Sequence, residues 1–294
     1  MGEFPELQGV MGGYFANAQG FDKDLALAIS EQYLPTGSGS RVPKKPFSIA
    51  LSLADKIDTL VGFFGLNQKP TSSKVPYALR RLALGVIRII VENKKDFKIK
   101  DLINYSLSLY LDQGFDIENK FLQKELSDFL MERLKYYMKE ENIRNDIIQA
   151  STSSFNLNQS VIIFNKAKHL NKIITKSDGI DIIASYKRAS NILDKAGKGI
   201  TGRPDAVLFR KDEEKILHEK INEIRKAFTV KDDNKDYESL LIKLSDTKES
   251  TDNFFDNVVV NDENQDIKNN RLELLKMFCN TFDNFIDFSK LEGL

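Results

Sequence analysis

Apolar residues recur at helical spacing in two neighbouring stretches near the start of the chain. In the first stretch, Leu53, Ile57, Leu60 and Phe64 follow one another at intervals of three or four residues, and a similar stripe runs through residues 79–90. Because these intervals place side chains on one face of a helix, each stretch predicts an amphipathic α-helix with one buried face. The polar, turn-forming residues between the two stretches predict a connecting loop.

The same periodicity continues through the rest of the chain and predicts an all-α fold. No segment alternates apolar and polar residues in the way typical of a β-strand. By contrast, the first half of the glycine-rich residues 2–20 is predicted to be irregular, and residues 151–160 predict a connection, with Ser160 as the cap of the helix that follows. The further predicted helices cover residues 22–33, 101–111, 119–141, 161–174, 181–196 and 212–228, with a last one from about 267. A hydrophilic linker at 229–236 leads to residues 237–244.

Composition places the chain among folded globular proteins. Hydrophobic residues make up 41% and charged residues 29% of its 294 residues, and no apolar run reaches the ~20 residues of a membrane span. Cys279 is the single cysteine, so no internal disulfide can form, which fits a reducing compartment. These features predict a cytoplasmic protein without a membrane partner.

Charge is unevenly distributed although the net charge is zero. Residues 69–100 hold nine basic and two acidic side chains, whereas residues 212–268 hold nine basic and sixteen acidic ones. Arg80, Arg81 and Arg88 belong to the basic stretch, on the second amphipathic helix. This concentration favours a phosphate-bearing partner, with a solvated surface as the alternative.

Catalytic chemistry has little support in the sequence. The two histidines, His169 and His218, have no cysteine or carboxylate neighbours at zinc-ligand spacing. Asp55 and Asp58 lie three residues apart and offer two carboxylates to a divalent cation, but capping, ion pairing or solvation explains them better. We therefore predict no catalytic residue and no metal site in this chain.

A glycine-rich loop follows the helix predicted at 181–196. Gly197, Gly199 and Gly202 match the spacing of a dinucleotide fingerprint, which requires a preceding strand and a following helix. Here a helix precedes the glycines, so that interpretation is rejected. A loop whose backbone amides, with Lys198 and Arg203, approach a phosphate stays open.

The helix at 181–196 carries a basic face. Lys187, Asn191 and Lys195 follow at four-residue steps, with Arg188 beside them. Cations hold phosphates and an amide reads a base edge, so this face suits RNA, with simple solubility as an equal alternative. Tyr186 lies at the margin, where burial is favoured over base stacking.

Several segments resemble one family, the β subunits of the bacterial two-subunit glycyl-tRNA synthetases. The segments are GEFPELQGVMGGYFA (2–16), AISEQYLP (28–35), ALSLADKIDTLVGFFGLNQKPTSSKVPYALRRLALGVIRIIVE (50–92), SYKRASNIL (185–193), FFDNVVV (254–260), NRLELL (270–275) and IDFSKLE (286–292). The resemblance covers nearly the whole chain. Since the family's subunit is considerably longer at its N-terminus, the chain is expected to correspond to the C-terminal part.

The resemblance implies three segments. Residues 1–95 would be the C-terminal part of an HD-like helical domain that has lost its phosphohydrolase metal site, 96–175 a helical connector, and 176–294 an anticodon-binding (DALR-like) helical bundle. Gln32 stands where the family usually has histidine, which fits that loss. Val75 and Tyr77 replace the family's usual aspartate and phenylalanine.

The function that the resemblance implies is tRNA recognition within glycine–tRNA ligase. The family's separate α subunit, in an expected α2β2 assembly, activates glycine with ATP and Mg²⁺, so this chain would bind tRNA(Gly) and hold no cofactor. The alternatives are a metal-dependent HD-type phosphohydrolase using Asp55 and Asp58, and a helical scaffold without an RNA role. The predicted tRNA-binding residues are Lys187, Arg188, Asn191, Lys195, Arg271, Arg80, Arg81 and Arg88.

Overall fold

Helices form all the regular structure in the described part of the chain. The computed structural model describes residues 4–37, 39–69, 78–95, 97–117, 119–153, 156–174, 177–197, 199–229 and 236–292. None of these residues lies in a β-strand, so the predicted all-α class is confirmed. Over the same ranges, no helix combines the length and the apolar character that crossing a bilayer requires.

The chain divides into two compact units. The first unit comprises Met1–Glu141 with Asn156–Ile162, and the second comprises Asn142–Phe155 with Ile163–Leu294. The predicted division into three segments, with boundaries at residues 95 and 175, rests on the family resemblance and not on contacts between residues, and it stays a prediction.

The first unit is built around the two amphipathic helices that the sequence predicts. Helix α3 begins with Pro46 in its first turn, where a missing amide hydrogen costs nothing. Its apolar stripe is buried: Leu53, Leu60 and Phe64 are at most 4% exposed, and Ile87 on α4 is fully buried. Helix α3 packs against α2, α4, α5 and α6. The helices of this unit are α1 (Val10–Ala18), α2 (Lys23–Glu31), α3 (Pro46–Gly65), α4 (Leu79–Glu92), α5 (Ile99–Asp112) and α6 (Leu122–Glu140).

Residues 4–9 form no α-helix, in agreement with the predicted irregular first half, and residues 10–18 form α1, which the sequence does not predict. Its glycines permit close packing on α2. A Cβ atom on Gly13 would lie 2.6 Å from the Cβ of Ser30 and 2.9 Å from the carbonyl oxygen of Ala26. Gly9 precedes the helix at a φ of 82°, in the region that favours glycine. The glycines of α1 are therefore explained by its close packing on α2.

The second unit has an aromatic core, in which Phe254, Phe278, Phe282 and Phe285 are fully buried. Phe278 and Phe282 lie on the last helix, which the sequence predicts from about residue 267. Helix α13 packs against α9 and α10. The helices are α7 (Asn145–Ser153), α8 (Ser160–Ile173, which starts within the first unit), α9 (Ser177–Ala196), α10 (Asp212–Thr229), α11 (Tyr237–Ser245), α12 (Lys248–Asn257) and α13 (Gln265–Asp283).

Two short helices and one cap differ from the sequence prediction. Helix α7 includes residues 151–153, where a connection was predicted, and α12 was not predicted at all. The hydroxyl of Ser160 donates to the carbonyl oxygen of Leu157 instead of accepting from a following amide. Each of the two helices spans nine or ten residues, too few for its periodicity to be distinctive.

Candidate nucleic-acid interface

A groove of about 480 Å³ lies beside the C-terminal half of α9 in the second unit. Three cations line it, Arg188 and Lys195 from α9 and Lys268 from α13. Its remaining walls are mostly apolar, which gives a charged rim over a surface on which flat groups can lie. Those other lining residues are Ile192, Ala196, Phe255, Val258, Val259, Val260, Asn261 and Leu272.

The guanidinium group of Arg188 has a defined position in this groove. It lies over the ring of Phe255, with Cζ 4.3 Å from the ring centroid. A nitrogen of the same group is 3.9 Å from a carboxylate oxygen of Asp256, a loose pair between exposed side chains. This cation–π contact restrains the guanidinium group and leaves its side away from the ring available to a phosphate or a base.

The other predicted residues of α9 lie next to the groove. Asn191 and Lys195 are exposed, and Lys187 is half-buried. Helical geometry puts Lys187 and Asn191 on the solvent side of α9, adjacent to the groove wall formed by Arg188 and Lys195. The structure therefore brings these four predicted side chains together on one surface.

Tyr186 packs inward, as the sequence analysis favours. It is 4% exposed and its hydroxyl donates to a carboxylate oxygen of Asp283 at 3.0 Å. Burial, with the neighbouring Asp283 charge, raises the pKa of Tyr186. Tyr186 is thus a core residue and offers no ring to a base.

Arg271 lies in the interior of the second unit, and the prediction that it binds tRNA has no support in this geometry. It is 4% exposed. Its Nε donates to Glu214 at 2.8 Å, and one terminal nitrogen donates to Asp262 at 2.7 Å and to the carbonyl of Val259 at 2.8 Å. Removing one partner of such a buried pair leaves an uncompensated charge. Arg271 therefore ties α13 to the start of α10 and to the segment after α12.

The glycine-rich loop is occupied from within the chain. The carboxylate of Glu273 on α13 accepts from the amides of Thr201, Gly202 and Arg203. Burial raises the pKa of Glu273, but these backbone hydrogen bonds outweigh it and the pKa is lowered. The amides of residues 201–203 thus bind an internal anion, not an external phosphate. Lys198 lies outside the described residues.

The second unit also contains a polar cleft that the sequence did not predict. His218, Asn222 and Arg225 of α10 face Arg203 and Asn280 across a space of about 620 Å³. Burial lowers the pKa of His218, whose ring lies 3.1 Å from the amide nitrogen of Asn222. Amide and imidazole groups of this kind can read base edges. The signal for this cleft in the sequence is weak, since these side chains come from three separate segments.

The three predicted arginines of the first unit differ in their positions. Arg80 and Arg81 are exposed at the start of α4. Arg88 is 7% exposed, and its guanidinium donates to Glu92 and to the carbonyls of Gly37 and Ser40, each at 2.7 Å. Arg88 therefore fixes the loop before α3 onto α4, and its predicted contact with tRNA has no support in this geometry.

Asp55 and Asp58 border an apolar groove between α3 and α5. Asp58 accepts from the hydroxyls of Ser106 and Tyr110, each at 3.2 Å. Burial, and to a smaller extent the Asp58 charge, raise the pKa of Asp55. Within the described ranges no three His, Cys, Asp or Glu side chains come together in a way that could hold a metal ion. The phosphohydrolase alternative thus has no third ligand there. Val75 and Tyr77 lie outside the described residues.

Comparison with known proteins identifies two matching families. A model described as "Glycyl-tRNA synthetase beta subunit" matches residues 1–153, and one described as "DALR anticodon binding domain" matches residues 182–292. The second match contains the α9 groove, the polar cleft and Arg271.

Individual relatives agree with these matches over the whole chain. Proteins named "Glycine–tRNA ligase beta subunit" from Rickettsia africae (strain ESF-5) and Rickettsia conorii (strain ATCC VR-613 / Malish 7) are each 40% identical over 294 residues, which is 99% of this chain. The protein of that name from Rickettsia canadensis (strain McKiel) is 39% identical. The chain spans 42% of the length of each of these relatives.

Proposed function

Because this chain belongs to the glycyl-tRNA synthetase beta subunit family, we propose that it supplies tRNA recognition to a glycine–tRNA ligase. In this proposal the second unit binds tRNA(Gly) through the α9 groove and the basic side chains beside it. Arg80 and Arg81 of the first unit provide a further contact with the RNA backbone. The chain works in the cytoplasm and carries no catalytic residue.

The observation that carries the proposal is the composition of the α9 groove. Arg188, Lys195 and Lys268 surround apolar walls within the segment that matches a DALR anticodon binding domain. Unstacked bases of an RNA loop require this combination, since cations hold the phosphates while rings and apolar side chains receive the bases. Asn191, exposed beside the groove, supplies an amide for a base edge.

The chemical step is proposed to occur on another chain. A separate α subunit activates glycine with ATP and Mg²⁺ and transfers it to the bound tRNA, in an α2β2 assembly. The contribution of the present chain is to hold the tRNA so that its acceptor end reaches that active site, which is catalysis by orientation.

Substitution of the groove cations tests the proposal. Arg188→Ala combined with Lys195→Ala should weaken binding of tRNA(Gly) roughly tenfold for each side chain removed, because each loses a charge-assisted contact. The salt dependence should also decrease, by about one unit of slope per lost phosphate contact. Fluorescence anisotropy with labelled tRNA(Gly) over a range of salt concentrations measures both quantities, and circular dichroism checks the fold.

The control is a matched pair of cations in the same unit. On α10, Lys215 is exposed and Lys220 is half-buried, and each pairs with an acidic side chain three residues away. Lys215→Ala with Lys220→Ala should leave the affinity within twofold, since neither side chain lines the groove. Equal losses in the two double variants would mean that the groove has no specific role.

A further inference from the structure

A second cleft, in the first unit, is rich in arginine. It lies between the loop before α3, the first half of α4 and the second half of α6, and encloses about 390 Å³. Sites for small ligands typically enclose roughly 300–1,000 Å³. We call it the arginine cleft. Arg80, Arg81, Arg88 and Arg133 all line it, together with Tyr136 and Glu140.

Arg133 is the residue of this cleft that the sequence analysis missed. Its guanidinium carbon lies 5.8 Å from the ring centroid of Phe129 and 5.4 Å from that of Tyr136. Its Nε is buried and has no hydrogen-bond partner. A buried charged donor without a partner is costly, so the fold leaves Arg133 with unused hydrogen-bonding capacity at the cleft wall.

Of the cleft arginines, Arg88 is paired with Glu92, so its charge is already balanced within the chain. Burial lowers the pKa of Arg133, and the charge of Arg80 lowers it further, which means that the two guanidinium groups repel each other. Glu140 is the acid on the cleft wall, and it already accepts from the hydroxyl of Tyr136 at 2.8 Å. Arg81 is exposed and has no ion pair among the described side chains.

A further cation lies directly behind the wall of the cleft. Gly85 lines it, and a Cβ atom at Gly85 would lie 2.9 Å from Cε of Lys56, which is 1% exposed. The ammonium group of Lys56 donates to Ser52 and to the carbonyl of Gln32. The cleft therefore combines exposed guanidinium groups with a buried positive charge behind them, a field that concentrates anions.

We propose that the arginine cleft binds a phosphomonoester group, carried either by a free nucleotide or by the 5′ end of an RNA. A phosphomonoester has the charge and the acceptor geometry that this site lacks. It carries about −1.5 to −2 at neutral pH and offers three acceptor oxygens. Arginine forks match phosphate oxygens bidentately. The cleft shares no residue with the α9 groove. It does contain Arg80 and Arg81, which the proposed function assigns to the RNA backbone, so the test compares probes that differ only in the phosphomonoester group.

The test uses the full chain and four defined probes. Adenosine monophosphate and adenosine form one pair, and one RNA hairpin with either a 5′-phosphate or a 5′-hydroxyl forms the other. Isothermal titration calorimetry should detect binding of at least one phosphorylated probe that is at least tenfold tighter than binding of its unphosphorylated partner. Preference within the nucleotide pair alone identifies a free nucleotide as the ligand, and preference within the hairpin pair identifies an RNA end.

Two variants and one control complete the experiment. Arg133→Gln and Arg81→Gln should each abolish the preference for the phosphorylated probe, and Arg81→Gln alters a solvent-exposed side chain, so its effect does not depend on folding. Lys124→Gln, an exposed cation on the same helix as Arg133, should leave it unchanged. Lack of any preference in the unsubstituted chain, or a preference that survives Arg81→Gln, overturns the proposal. The Arg188 and Lys195 variants test a different proposal. Their effect on the binding of tRNA(Gly) bears on the proposed function and not on this cleft.

Discussion

Lys56 places its ammonium group in the interior of the first unit. It is 1% exposed and hydrogen-bonds to the Ser52 hydroxyl at 2.9 Å and to the Gln32 carbonyl at 3.1 Å. Burial lowers its pKa to about 8, and the Asp55 charge opposes this only partly. The sequence placed Lys56 within a recognisable motif but did not indicate that it is buried, because its position on α3 faces other elements that periodicity alone does not locate.

The lowered pKa of Lys56 predicts a pH dependence of stability. The folded chain loses the Lys56 proton near pH 8, whereas the unfolded chain keeps it until about 10.5. Between these values the unfolded state binds more protons, so this residue makes the folded state more stable as the pH rises. Below pH 8 the full cost of the buried charge remains.

Lys56→Met isolates this effect, since methionine is apolar and unbranched. The difference in unfolding free energy between the unsubstituted chain and the variant should shift by about 2 kcal/mol in favour of the unsubstituted chain from pH 7 to about 9.5. Urea denaturation at both pH values measures the difference, in which other titrating groups cancel. A difference that does not change with pH would show that Lys56 titrates normally.

At the scale of elements, the contact between α1 and α2 depends on glycine, which has no side chain to separate the two helices. Gly13 is buried, and its Cα faces the Cβ of Ser30 and the carbonyl of Ala26. Backbone and Cβ atoms cannot move aside as the end of a flexible side chain can. The close approach of the two helices therefore requires glycine at this position.

Gly13→Ala should destabilise the first unit by about 1–3 kcal/mol, the usual cost of overpacking. Thermal unfolding followed by circular dichroism measures the loss. Gly39→Ala is the matched control, because no atom lies within 4 Å of a Cβ built on Gly39. Equal stability of the two variants would mean that α1 can shift away from α2 without cost.

The same element explains what the sequence could and could not predict. Long periodic helices such as α3, α4 and α13 were predicted because each buries a full apolar stripe of its own. Helix α1 was missed because its glycines signal close packing and irregular structure alike. Arg88 was assigned to a surface because periodicity gives the polar face of a helix but not the loop that covers it. Arg271 was assigned from the family resemblance, which does not say whether a matched residue is buried. On α9, by contrast, Arg188, Asn191 and Lys195 face the solvent, so the periodicity of the helix was enough to place them on the surface.

At the scale of the molecule, the numbers of basic and acidic residues are equal, so the net charge does not attract polyanions. Any attraction must come from where the basic side chains are placed on the surface. Cations gather at one cleft in each unit, at the α9 groove and at the arginine cleft. Affinity for nucleic acid should therefore depend on a few identified side chains and not on the average charge of the surface.

Cys279 offers a chemical probe of the second unit. It is the single cysteine of the chain and is 2% exposed. Burial, followed by the charge of Asp283, raises its pKa to about 12. Since the thiolate is the reactive form, an aromatic disulfide reagent should label Cys279 only when this unit opens.

Labelling should accelerate with added urea and should slow when tRNA(Gly) is present, because a ligand of the folded state lowers the open population. Absorbance of the released thiolate follows the reaction, and Cys279→Ser gives the background. Labelling of the native chain as fast as a free thiol would show that the packing around α13 is loose.

The carboxylate of Glu273 has one further consequence. It is part of the same chain as the amides of residues 201–203, so it is present at an effective concentration that free phosphate in a cell cannot match. The conformation of residues 201–203 should therefore be the same whether phosphate is scarce or abundant in the cell, because their amides already have an anion that the chain itself supplies.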